Sequence, residues 1–228
     1  MITGKGGVRE ELAKIAILNF RRQNYKKKRL IIINEGETLN QKAENDVLEI
    51  IIKDRKEKQL TLGELRNMAF EFIPEESIWT TWDDDDWRSD GYLSFLKSKL
   101  GFNDYVFFTR RVEYNMQNGF TWIMELKSGF VIMFGRKKWD CLYAEKDYNE
   151  DIPLKNHIMS NLNYKIIENE PYIYIRTVHG NNTSVMIKPN KSSIANTIGN
   201  KVYFEHAADD NVTDYVNSII SKYFRTIQ

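Results

Sequence analysis

Three groups of residues in this 228-residue chain have types and spacings suited to chemistry. The densest is "TTWDDDDWRSDG", Thr80 to Gly91, in which Asp83, Asp84, Asp85 and Asp86 stand between Trp82 and Trp87. Consecutive carboxylates repel one another unless a cation or an opposing side chain offsets them. Hard divalent cations take oxygen ligands, and Mg²⁺ or Mn²⁺ typically binds one or two carboxylates together with substrate phosphates. An Asp-x-Asp pair at a strand end can divide that work, with one carboxylate on the metal and one on a ribose hydroxyl. The bland reading is a solvated acidic loop, or acids gathered at a helix N-terminus where the dipole favours them. If the strand before the run continues into it, alternation puts Asp83 and Asp85 on one side, and the two tryptophans wall the site.

The second group is "TGKGGVRE", beginning at Thr3. A phosphate-binding loop would follow its glycines with a lysine and a hydroxyl. Arg9, Glu10 and Glu11 stand there instead, so the stretch reads as a glycine-rich loop beside a nucleotide and not as an ATPase loop. The third group is "NED", Asn149 to Asp151, which serves equally well as a helix start with early acids. Of the three histidines, His179 precedes Gly180 after a strand-like run and is the one placed to reach a metal shell or a diphosphate. His157 and His206 read as structural.

Positioning these residues requires a particular order of elements. "MIT", "RLIIIN", "DVLEIII" and "SIWTTW" read as strands, and "RLIIIN" is continuously apolar, as in a parallel sheet covered on both faces. Between them, "REELAKIAILNFRRQN" places Leu12, Ile15, Ala16 and Phe20 on one helical face. "TLGELRNMAFEF" predicts a helix with Thr61 as N-cap and Glu64 completing a capping box. "DGYLSFLKSKLG" predicts a short helix ended by Gly101. This rhythm implies a doubly wound α/β sheet. Ligands of such sheets bind beyond the carboxyl ends of the strands, where the loop after Thr3, the Asn34–Glu35–Gly36 turn and the aspartates all fall.

Further on, "DYVFFTRRVEYN", "FTWIMEL" and "GFVIMFG" predict three strands, with turns at Asn118–Gly119 and Ser128–Gly129, forming a small antiparallel addition. A helix over about 151–161, a strand over 172–178 and an amphipathic C-terminal helix through Val212, Tyr215, Val216, Ile219, Ile220, Tyr223 and Phe224 complete the pattern. Trp122 and Trp139 could stack on sugar rings, although aromatic residues in strands more often belong to the core.

Composition excludes several classes. The net charge is +1, so no global field draws nucleic acid or an anionic membrane. A single cysteine, Cys141, excludes a disulfide framework and a cysteine-based zinc site. No apolar run approaches the ~18–20 residues of a membrane span, and no signal-peptide core follows Met1. These features lead to the expectation of a cytoplasmic chain with no transmembrane segment.

The ordered set resembles the family 2 glycosyltransferases of the GT-A fold. A first strand ends in Thr3 and is followed by a helix closing on "NFRRQNY". "LIIINEGE" stands where the family has an apolar strand before Asp-Asp-Gly-Ser, and "LGELRNMAF" where it has an Arg-Asn helix. "WDDDDW" stands at the Asp-x-Asp motif, "NEDIPL" at a Glu-Asp pair opening a helix, and "YIRTVHGNNTS" near a His-Gly-x-Asn pattern. The resemblance covers roughly residues 1–185. It implies a Rossmann-like three-layer α/β/α sandwich with a mainly parallel central sheet, and residues 186–228 then form a C-terminal extension packed on the body. The strand before Thr3 is shorter than the family's, so the start is truncated or the edge abbreviated.

The resemblance also implies roles. Asp83 contacts ribose or the metal shell, Asp85 is the direct metal ligand, and Asp84 and Asp86 support them or touch the sugar. Glu35 reads the base edge, Arg66 contacts the nucleotide, and Thr3 and Lys5 line it. His179 completes the metal shell. Asp151 is the general base, with Glu150 beside it to hold the acceptor. Implied partners are a nucleotide-sugar donor, UDP-sugar favoured, a sugar or glycoconjugate acceptor, and Mn²⁺ or Mg²⁺. The chemistry of the residues alone leaves two alternatives: an Mg²⁺-dependent nucleotidyltransferase, and a non-catalytic carbohydrate- or cation-binding module derived from a transferase.

Overall fold

The structure is a computed structural model and describes residues 1–4, 7–39, 46–52, 59–138, 140–168, 172–178, 194–198 and 201–224. Lys5, Trp139 and His179 lie outside the described residues.

The first half alternates strand and helix: β1 (Ile2–Thr3), α1 (Gly7–Arg22), β2 (Leu30–Asn34), β3 (Val47–Ile51), α2 (Leu62–Glu71) and β4 (Ile78–Thr80). The short β5 (Trp87–Arg88) and α3 (Tyr92–Leu100) follow. α1 forms because Leu12, Ala13, Ala16, Ile17 and Phe20 recur at helical spacing and are buried together. Glu10 in its first turn and Arg21 and Arg22 in its last complement the dipole. The capping box expected on α2 is present, with Thr61 accepting from the Glu64 amide and Glu64 accepting from the Thr61 amide. α3 ends at Gly101, whose φ of +52° a side-chain-bearing residue adopts only with strain.

The second half comprises β6 (Tyr105–Asn115), β7 (Thr121–Arg136), α4 (Asp151–Asn161), β8 (Tyr164–Ile167), β9 (Tyr174–Val178), β10 (Ile194–Ile198), β11 (Lys201–Ala207) and α5 (Asp210–Phe224). β7 is one long strand where two were expected. Ser128–Gly129 is not a turn: Phe108 of β6 faces Phe130 and Arg110 faces Glu125, so the strand absorbs its extra residues as an irregularity in the ladder. β5, β8, β10 and β11 were not anticipated, being short or outside the clear apolar runs.

β1, β2 and β3 form a parallel sheet in that order. The larger sheet runs β10-β11-β7-β6-β9-β5, with β4 paired to β7 and β8 to β6. It is mixed: β6 pairs in parallel with β8 and β9, while β7 is antiparallel to each of its neighbours. The antiparallel part is therefore larger than the small addition expected. The main core joins α1 and α3 to the sheets through Ile17, Phe20, Ile32, Trp82, Leu96 and Phe108. A second cluster packs α5 on α1 through Leu12, Ile15, Val212, Val216 and Ile220, and the Tyr223 hydroxyl donates to Ile15 O at 3.2 Å. Among the described residues no helix is long and apolar enough to cross a membrane.

Candidate active site

The acidic run begins after β4 has ended at Thr80, so it is a loop and not a strand. Strand alternation therefore does not govern its side chains; their partners do. Beneath the loop lies Arg88, fully buried, with its guanidinium 4.4 Å from the Trp82 ring centroid. Its Nη1 donates to the main-chain oxygens of Asp83 (3.4 Å) and Asp86 (3.5 Å). Asn19 of α1 fixes Arg88 in turn, accepting from its amide at 3.1 Å and donating to its carbonyl at 2.6 Å. Trp82 donates from Nε1 to Ala16 O at 3.2 Å. Trp87 is buried in the cluster between α1 and α5, so it is a core residue and not a wall of the site. Trp122 is likewise buried.

The four carboxylates divide. Asp83 is the outermost, its side chain 43% exposed, with Oδ1 3.4 Å from Arg66 Nη2. Asp84 is buried and accepts from Arg9 Nη1 at 2.6 Å. Asp85 Oδ2 lies 3.9 Å from the same Arg9 nitrogen. Burial, reinforced by Asp85 and opposed by Arg9, pushes the Asp84 carboxyl up to about 6. Its second oxygen, Oδ2, is buried with no hydrogen-bond partner. Asp86 turns inward, accepting from the Tyr174 hydroxyl at 2.5 Å and the Thr177 amide at 3.1 Å, 4.0 Å from Arg88 Nη2. Burial and the neighbouring Asp85 and Asp83 push its carboxyl up to about 7, against Arg88 and Arg176. It is a core acid, not one that touches a sugar.

The other strand ends converge here. Thr3 closes β1, is buried, and its hydroxyl donates to Arg9 O at 3.5 Å. Glu35 follows β2, its amide donating to Thr3 O at 3.1 Å. The turn after β2 is held by Asn34, whose Oδ1 accepts from the Gly36 amide at 2.7 Å.

Arg66 of α2 links the acidic loop to α4. Its Nη1 is 3.0 Å from Glu150 Oε1, its Nη2 faces Asp83, and its guanidinium lies 5.2 Å from the Tyr143 ring centroid. Burial opposes its charge, but Asp83, Tyr143, Glu150 and Asp151 outweigh burial and hold its pKa above the usual arginine value. Asn149, with φ +54°, turns the chain into α4. This is a conformation asparagine tolerates better than most residues. The loop carrying Glu150 packs so closely on α2 that a Cβ on Gly63 would lie 1.8 Å from Ala144 O. Asp151 opens α4; burial raises its carboxyl, against Arg66. Burial raises Glu150 as well, again against Arg66.

Several residues that build this site were not singled out from sequence. Arg9 was noted only as a departure from a phosphate loop. Arg88 and Arg176 sit in short or alternating runs that give no hint of direction. Behind the acids, Glu113 accepts from Arg176 at 3.2 Å and pairs with Arg111 at 2.5 Å. Those two arginines hold its carboxyl below the usual range despite burial. A separate group brings its ligand atoms within 4.8 Å of one another: His157 on the second turn of α4, and Asp140 and Cys141 in the segment between β7 and α4.

One feature of the acids fits a cation: Asp84 Oδ2 is a buried oxygen with no hydrogen-bond partner, and Asp85 and Asp83 lie near enough to raise the Asp84 carboxyl. Residues 8–189 match the family model described as "Glycosyl transferase family 2". No curated protein matches. Among solved structures, S. aureus TarS 1-349 is similar with a TM-score of 0.56 and 11% sequence identity, a likeness of fold, and it matches over 77% of this chain. The match spans 59% of that chain's length. The family match covers most of the chain, and this chain, with its GT-A-like α/β fold, belongs to glycosyl transferase family 2.

Proposed function

We propose that the chain transfers a glycosyl group from a nucleoside-diphosphate sugar to a hydroxyl acceptor, with inversion and with a divalent cation, Mn²⁺ or Mg²⁺. The observation that carries this reading is the Arg66 bridge. One guanidinium touches Asp83 of the acidic loop and Glu150 at the head of α4. The acidic loop and the head of α4, where Asp151 follows Glu150, are thus tied together by one side chain.

Asp83 and Asp85 would hold the cation, with Asp84 Oδ2 available beside them. When bound, the cation supplies positive charge against the leaving diphosphate. Arg66, kept cationic by the acids around it, faces the same side and adds to that field. Thr3 and Glu35, at the ends of β1 and β2, flank the nucleoside, with Glu35 reading the base edge; a UDP-sugar is the favoured donor. His179 and Lys5 are further proposed contacts, to the metal shell and the nucleotide.

Asp151 is the general base. Burial raises its carboxyl toward the working pH, which suits an acid that must accept a proton in the transition state. It takes the proton of the acceptor hydroxyl as that oxygen attacks the anomeric carbon. The bond to the diphosphate breaks on the opposite face and its electron pair leaves with the phosphate oxygen. Glu150, held by Arg66, keeps the head of α4 against α2 and fixes where Asp151 stands.

The test is turnover. The protein is incubated with a panel of sugar nucleotides, Mn²⁺ and hydroxyl acceptors, and release of nucleoside diphosphate is measured. Release that Asp151→Asn abolishes supports the reading. Nucleotide binding with no release from any donor would overturn it in favour of a binding module.

A further inference from the structure

Asp140, Cys141 and His157 take part in no step of the transfer described above. Cys141 is fully buried, in the apolar cluster of Trp79, Tyr105, Tyr143, Leu154 and Ile158. Asp140 and His157 reach solvent, with side chains 65% and 34% exposed. His157 Nε2 is 3.1 Å from Asp140 Oδ2, and Cys141 Sγ is 3.9 Å from Asp140 Oδ1. All three ligand atoms fall within 4.8 Å of one another. Among the described residues no lysine or arginine pairs with Asp140; its ion-pair partner is His157.

Two chemistries use a thiol, an imidazole and a carboxylate. A nucleophilic triad needs the acid on one ring nitrogen and the thiol on the other. Here Asp140 faces Nε2, while Asn161 Nδ2 lies 3.4 Å from Nδ1 and donates to His157 O at 2.9 Å. Neither nitrogen is left to the thiol alone. Burial also pushes the free thiol up to about 11, away from a reactive thiolate. A metal needs the other arrangement, with the ligand atoms gathered at one point. Zinc bonds of ~2.0–2.1 Å to nitrogen or oxygen and ~2.3 Å to sulfur, at tetrahedral angles, set neighbouring ligand atoms about 3.3–3.6 Å apart. The separations of 3.1 and 3.9 Å straddle that range.

We propose that Cys141, His157 and Asp140 bind one Zn²⁺ ion, with water as the fourth ligand, in a structural site separate from the cation site of the acidic loop. The inference does not depend on the transfer reading. Sulfur and nitrogen ligands select zinc, whereas the oxygen-only loop suits Mg²⁺ or Mn²⁺. A single cysteine rules out a site of several thiolates, and this site needs one. The ion displaces the thiol proton to solvent and takes the Nε2 lone pair. The ring proton then resides on Nδ1, where Asn161 turns its amide oxygen to accept it. His157 stands on α4 and the other two ligands stand between β7 and α4, so the ion clamps that segment to the helix. Two residues beyond Cys141, the Tyr143 amide donates to Asn67 Oδ1 at 2.8 Å and its carbonyl accepts from Asn67 Nδ2 at 2.9 Å. The Tyr143 ring lies against the Arg66 guanidinium. The zinc site therefore steadies the segment on which Arg66 rests.

Co²⁺ is the probe, because a cobalt–thiolate bond gives a charge-transfer band in the near ultraviolet. The full chain is titrated with Co²⁺ and then with Zn²⁺, and thermal unfolding is followed with Zn²⁺ alone. Wild type is expected to develop the band with one equivalent of Co²⁺ and to lose it as Zn²⁺ displaces the probe. Zn²⁺ at a hundredfold excess over its Kd should raise Tm by about 5 °C. Asp85→Asn should leave these readings unchanged. Asp140→Asn and His157→Ala alter side chains open to solvent and keep the buried thiol, and each should weaken Co²⁺ binding by about 100-fold. Absence of the band in wild type would overturn the proposal. So would a band of undiminished affinity in both Asp140→Asn and His157→Ala, which is adventitious binding at a lone thiol, or loss of the band in Asp85→Asn, which places the ion in the acidic loop.

Discussion

Asp83 and Asp86 lie three residues apart, and each is near an arginine. Asp83 is exposed to the cleft and faces Arg66, which also holds Glu150. Asp86 is buried, accepts a tyrosine hydroxyl and a backbone amide, and lies beside a buried Arg88 stacked on Trp82. The first carboxylate remains open to solvent and to whatever enters the cleft. The second is saturated by its surroundings. A run of identical residues therefore contains an exposed acid and an enclosed, saturated one, and side-chain partners rather than residue type make the division. The same contrast separates Asp151, which opens α4 and is only partly buried, from Glu113, clamped between two arginines.

The contrast breaks most visibly at Asp151. Asp151→Asn should lower transfer about 10²–10⁴-fold while leaving nucleotide binding and Tm close to wild type; a variant of normal rate would remove Asp151 from the base role. Asp86→Ala should show the reverse pattern. It removes the carboxylate that accepts from the Tyr174 hydroxyl and the Thr177 amide and lies 4.0 Å from Arg88, and should cost about 3–5 kcal/mol in denaturant unfolding. A loss below about 1 kcal/mol would mean that Asp86 is not the structural member. Thr61→Ala, which removes the capping box of the helix that carries Arg66, should cost about 1 kcal/mol and reduce turnover only slightly.

The mildest effect is pH-dependent. Asp84 and Asp86 have folded pKa values raised to about 6 and about 7, above the unfolded aspartate value of ~3.9. Between about pH 4 and 7 the folded chain therefore binds more protons than the unfolded chain, so metal-free stability falls as pH rises through that window. Cation binding requires the carboxylate form and should strengthen over the same range. Unfolding followed from pH 4 to 8, with and without Mn²⁺, reads both slopes. Asp86→Asn should flatten the first without removing the second.

Much of the framework was legible in the sequence because it rests on local signals. The capping box at Thr61 and Glu64, the apolar run of β2 and the Gly101 helix end each carry their own physical reason. α4 was expected over about 151–161 and occupies Asp151–Asn161. The long β7 was not legible, because Ser128–Gly129 resembles a turn and only pairing with β6 reveals that the strand passes through it. Within the site, the positions of the acids were legible but their directions were not. Alternation was the available rule, and it lapses where β4 stops at Thr80. What fixes Asp84 is Arg9, 75 positions away, and what fixes Asp86 is Tyr174, 88 away. Such distant partners leave no periodic trace in a chain read from end to end.

The central claim is that Asp83 and Asp85 bind a cation together with a nucleoside diphosphate. Its most direct test is a thermal-shift panel of nucleoside diphosphates with and without Mn²⁺, on wild type and on Asp85→Asn. A ligand that binds only the folded state must raise its stability. The account predicts that at least one nucleoside diphosphate raises Tm in wild type only when Mn²⁺ is present, and that Asp85→Asn abolishes the rise. Absence of any metal-dependent rise in wild type, or an undiminished rise in Asp85→Asn, would contradict it.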